Sequence, residues 1–80
     1  SDARCRQVYG LVLALYMQAY QQELKSRDRL ALELVEMRKL GYREAAAVLG
    51  IRLENFKMVV CRARKKILQS MVRVLGTHQS

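Results

Sequence analysis

Residues 41–66 read GYREAAAVLGIRLENFKMVVCRARKK, and this stretch decides the fold. Tyr42-Arg43-Glu44 opens a short helix for which Gly41 serves as N-cap, and Glu44 then stands at the third helical position, as in half a capping box. Ala45, Ala46, Val48 and Leu49 continue it, and Gly50 stops it after two turns. Ile51 and Arg52 form the connection. A longer helix starts near Leu53, with Glu54 at the end of the helix dipole that favours an anion. Phe56, Val60, Ala63, Ile67, Met71 and Val74 then recur at helical spacing as far as Gly76. Ala46 is small where the two helices must approach closely. Ala45, Leu49, Ile51, Phe56 and Val59 fall where they would seal the pair. A short helix, a glycine turn and a longer basic helix make up the helix-turn-helix plan.

The rest of the chain is also helical by pattern. Proline is absent, glycine occurs at 10, 41, 50 and 76 only, and no stretch alternates apolar with polar residues. The expected fold is all-α: one domain over 1–80, with four helices at about 3–24, 27–40, 42–49 and 53–75. In the first helix Cys5, Tyr9, Leu13, Tyr16, Tyr20 and Leu24 recur at steps of three and four. Val8, Leu11, Val12, Leu15 and Met17 widen that stripe beyond one face. The expectation is that this wide surface wraps the domain core, with its surplus available to a second interface. Lys25 and Ser26 interrupt the pattern, Ser26 is the expected N-cap of the second helix, and Asp28 lies in its first turn. Leu30, Ala31, Leu34, Val35 and Met37 form the second helix's stripe, and Gly41 is expected to end it with a left-handed conformation.

The charge is unevenly spread. The 80 residues hold 15 Lys+Arg against 7 Asp+Glu, a net charge of +8. Residues 51–80 carry 7 basic and 1 acidic side chain, against 8 and 6 in residues 1–50. A basic concentration of this kind on one helix is the electrostatic footprint of a polyanion partner. Half the residues are apolar, which argues for a folded domain rather than a basic tail. Enzyme chemistry is not expected: the one histidine, His78, lies in a terminal segment expected to fray, and no nucleophile–base pair, phosphate loop or metal-ligand set is present. No cofactor or metal is implied. Cys5 and Cys61 are too few for a disulfide framework, which fits a reducing cytoplasm. The longest apolar stretch, Val8 to Tyr20, is too short to cross a membrane.

The stretch from Arg29 to Met71 resembles region 4 of bacterial RNA polymerase sigma factors, most closely the extracytoplasmic-function type. The resemblance is carried by the Leu-rich second helix, Gly41-Tyr42-Arg43-Glu44-Ala45-Ala46, Leu49-Gly50-Ile51, and Lys57 followed by Arg62-Ala63-Arg64. LKSRDR at 24–29 matches the usual lead-in to that region. The likeness covers a little over half the chain, with the output domain of LuxR-type response regulators as the nearest alternative. It departs from the family at Lys25, where proline is usual, at Met58-Val59, where a Ser-Arg pair is common, and at Cys61, where several members carry an aromatic.

The resemblance implies a cytoplasmic, nucleoid-associated domain cut from a longer transcription protein. It would recognise the promoter −35 element and dock on the β flap of RNA polymerase, with an anti-sigma factor or other regulatory protein as a further partner. By position, the base-contact candidates are Lys57, Met58, Cys61 and Arg62, which share a helix face. Arg62 is suited to bidentate reading of guanine, and Met58 and Cys61 to thymine methyls or an apolar protein surface. Arg52, Arg64, Lys65 and Lys66 are expected to contact phosphate or solvent. Leu11, Leu15 and Met17 are candidates for a protein interface. A regulatory protein-interaction module on the same scaffold is the competing function.

Overall fold

The computed structural model describes the backbone of residues 2–79 and the side chains of residues 2–76. The architecture is all-α. Helix α1 spans Asp2–Glu23, α2 spans Ser26–Leu32 and runs directly into a π-helical segment, Glu33–Met37, α3 spans Tyr42–Leu49, and α4 spans Leu53–Gln79. Among the described residues no helix is long and apolar enough to cross a membrane.

The core forms around α4. Phe56, Val59, Val60, Ala63 and Ile67 are buried along one side of it and meet Ala45 and Ala46 of α3 and Ala31, Leu32 and Leu34 of the second helix. Tyr42 and Phe56 lock the α3–α4 pair edge to face, with ring centroids 5.5 Å apart and planes at 82°. The expected sealing set is in place: Ala45, Phe56 and Val59 are buried, and Leu49 and Ile51 pack half-buried beside them.

Gly50 makes the turn as its position requires. It is left-handed (φ 67°), and the chain closes with Gly50 N–H donating to the Ala47 carbonyl and Ile51 N–H to the Ala46 carbonyl, both at 3.1 Å. Gly41 is extended (φ −68°, ψ 158°) and caps α3, with a Glu44 carboxylate oxygen 3.8 Å from where a β-carbon would stand. It does not end the second helix. That helix stops earlier, at Met37, where the turns widen: Arg38 N–H reaches the Glu33 carbonyl at 3.0 Å and Leu40 N–H reaches Leu34 at 2.9 Å. Lys39, not a glycine, takes the left-handed conformation (φ 59°). The widened turn folds the chain back so that Leu34 is buried and Leu40 packs half-buried on the core.

Three further expectations are corrected. Lys25 rather than Ser26 is the N-cap of α2; its carbonyl accepts from Arg29 N–H at 2.9 Å, and its side chain makes no cap bond. In the second helix Leu30 and Met37 face outward, and Leu32 takes the buried place. Gly76 continues α4 as ordinary helix, since without a positive φ it offers no stop, and the backbone is helical to Gln79. The His78 side chain lies outside the described residues.

The largest correction concerns α1. Only its C-terminal half joins the core, through buried Ala19 and half-buried Tyr16 and Tyr20, with Leu24 buried just beyond its end. The Tyr20 hydroxyl donates to the Arg29 carbonyl at 3.1 Å and pins this half to α2. The N-terminal half does not wrap the domain: Cys5, Val8, Tyr9, Leu11, Val12 and Leu13 are all exposed, Tyr9 at 70%. No described residue covers residues 2–14 closely enough to bury any of them.

Candidate nucleic-acid interface

Burying Phe56, Val59, Val60 and Ala63 fixes which way α4 faces and turns Lys57, Met58, Cys61 and Arg62 to solvent. The four expected base-contact residues are therefore brought together on one exposed face, in the turns that follow Gly50. Met58 is 57% exposed, and the Cys61 thiol is free and exposed, as is that of Cys5. Arg62 and Lys57 have no hydrogen-bond or ion-pair partner among the described residues, so both keep their full donor capacity for a ligand.

A shallow depression of about 270 Å³ opens beside Arg62, lined by Arg27, Ile51, Asn55, Met58 and Val59. Arg27 and Asn55 are additions that sequence reading did not identify. Asn55 stands in the first turn of α4, where its amide suits the bidentate reading of an adenine edge, and that signal was available in the sequence. Arg27 sits in the first turns of α2, 35 residues from Arg62, and only the packing of α2 against α4 carries it there.

The four expected phosphate contacts divide. Arg52 and Lys65 are exposed with no partner among the described residues. Lys66 lies 3.9 Å from the Asp28 carboxylate. Arg64 is turned to the seam between helices: Nε donates to Glu36 Oε1 at 3.0 Å, a second guanidinium nitrogen pairs with the same oxygen, and a third donates to the Tyr42 hydroxyl at 3.1 Å. The Glu36 bond holds the Arg64 pKa above its usual value, against a smaller opposing effect of burial. Arg64 thus links α4 to the π-helical segment and to α3, while its side chain stays partly exposed.

The clamp forms part of the floor of a second concavity, a groove of about 550 Å³ on the other flank of α4. Tyr9, Leu13, Tyr16, Met17 and Tyr20 of α1 form one wall, with Met37 and Leu68 opposite. Of the expected protein-interface residues, Leu11 is exposed, Leu15 is half-buried, and Met17 lines this groove. Burial raises the pKa of the Tyr16 phenol, with the Glu36 charge adding to the effect. Tyr20 is raised mainly by burial, with Glu33 adding.

No protein-family model matches this chain, and no curated protein or solved structure is similar to it at a significant level.

Proposed function

We propose that this chain is a DNA-binding domain of a sigma factor that reads a promoter −35 element, with α3, Gly50 and α4 forming a helix-turn-helix and α4 entering the major groove. The observation that carries the reading is the unpaired cationic face of α4, where Lys57 and Arg62 flank Met58 and Cys61 directly after the glycine turn. Arg62 reads guanine, Asn55 reads adenine, and the Met58 and Cys61 side chains pack on thymine methyls. Arg27, Arg52 and Lys65 supply phosphate contacts that set position without sequence preference. Docking on the polymerase β flap and work on the nucleoid in the cytoplasm complete the role, and they follow from the likeness of residues 29–71 to sigma region 4.

The test is binding to a promoter duplex and a scrambled duplex across salt. With about five exposed cations engaged, affinity falls on the order of 10²- to 10³-fold between about 50 and about 200 mM salt. Arg62→Ala removes the preference for the promoter sequence by roughly 1–3 kcal/mol, while Lys65→Ala weakens both duplexes alike. Equal affinity of the unaltered protein for the two duplexes at every salt concentration overturns the reading.

A further inference from the structure

Between Arg6 and Glu23 the sequence of α1, QVYGLVLALYMQAYQQ, holds no charged residue, and residues 8–17 are apolar or glycine on every side of the helix. A helix of this kind ordinarily lies buried, yet here residues 2–14 are all exposed. The groove-lining side chains of this helix, with Met37 and Leu68 opposite, form one continuous and largely apolar face.

The pattern along the groove wall is self-complementary. Tyr9, Leu13, Tyr16 and Tyr20 follow one helical stripe. In an antiparallel pair related by a two-fold axis, Tyr9 falls opposite Tyr20 and Leu13 opposite Tyr16, because both pairs of numbers have the same sum. The same register sets Arg6 opposite Glu23. Glu23 Oε1 already accepts from Arg73 at 3.1 Å, and a carboxylate has capacity for a second cation. An isologous contact needs this kind of symmetry, in which one patch serves as both surfaces. A parallel pair would instead bring the arginines of the two N-termini together.

The location suits a second copy despite the net charge of +8. Lys57, Arg62, Arg52 and Lys65 do not line the groove, so two chains can meet there without opposing their most basic faces.

We propose that α1 is a homodimer interface, in which two copies pack antiparallel along the Tyr9–Leu13–Tyr16–Tyr20 stripe, and each α1 lies in the groove of the other copy. The dimer leaves the Lys57–Arg62 face of both copies open, so the proposal stands independently of DNA binding. Sedimentation equilibrium from about 1 to about 200 μM tests it. The expected result is a concentration-dependent rise from 9.3 kDa to twice that mass. Leu13→Asp and, separately, Tyr9→Asp abolish the rise while circular dichroism stays helical, since both side chains are exposed in the single copy. Leu11→Asp, about 200° around the helix from Leu13, leaves the dimer intact. A monomer throughout the concentration range overturns the proposal, and so does a dimer that Leu13→Asp and Tyr9→Asp leave unchanged.

Discussion

The inner face of α4 and the N-terminal half of α1 are both runs of large apolar side chains at helical spacing, yet one is the centre of the core and the other stands in solvent. Phe56, Val59, Val60 and Ile67 are closed over by three other elements, whereas Val8, Tyr9, Leu11, Val12 and Leu13 stay exposed. The difference shows that apolar periodicity determines which side chains share a face, while burial depends on whether another element reaches that face. The hydrophobic driving force is the same per unit area in both regions.

The sharpest way to break the comparison is to truncate one aromatic in each region. Phe56→Ala removes a fully buried ring at the α3–α4 contact and is expected to cost about 3–5 kcal/mol in urea unfolding. Tyr9→Ala, measured at about 1 μM so that association does not contribute, is expected to change stability by no more than about 0.5 kcal/mol. Equal losses would mean that α1 is packed in solution.

The glycines give a second, smaller contrast. Gly50 is left-handed in the turn, and Gly50→Val is expected to cost about 1–2 kcal/mol. Gly10 sits mid-helix with nothing within 4 Å of a built β-carbon, and Gly10→Ala is expected to raise stability by up to about 1 kcal/mol. Thermal unfolding of the two variants reads opposite signs.

The smallest expected effect is alkaline. The Tyr16 and Tyr20 phenols have folded pKa values raised above 10.0, so the folded state holds their protons more tightly than the unfolded chain does. Their contribution is fully present below pH 10 and is lost as pH rises through the folded values. The melting temperature is therefore expected to fall above pH 10, and to fall less in Tyr20→Phe.

Much of this was legible in the sequence, and the gaps have physical causes. The α3–Gly50–α4 unit was readable because its determinants are local: a glycine at a left-handed position, a small residue at a close approach, a stripe at fixed spacing. The end of the second helix was not, because Gly41 is a plausible terminator by type, while the wide turn at Glu33–Met37 and the left-handed Lys39 depend on how Leu34 and Leu40 seat in the core. That Lys57, Met58, Cys61 and Arg62 share a face followed from helical spacing, while the choice of these four came from the resemblance to sigma region 4. The inward turn of Arg64 did not, because its partner Glu36 is 28 residues away and reaches it only through tertiary packing. Arg27 escaped notice for the same reason.

The Arg64 clamp has one more consequence. By tying α4 to the π-helical segment and to α3 at once, it adds a polar latch to the angular setting of α4 that the burial of Phe56, Val59, Val60 and Ala63 fixes. A rotation by a single residue, about 100°, would break all of these bonds and carry the Lys57–Arg62 face away from Arg27. Any ligand of that face therefore meets a helix already set in place, and only the side chains of Lys57 and Arg62 are left to order on binding.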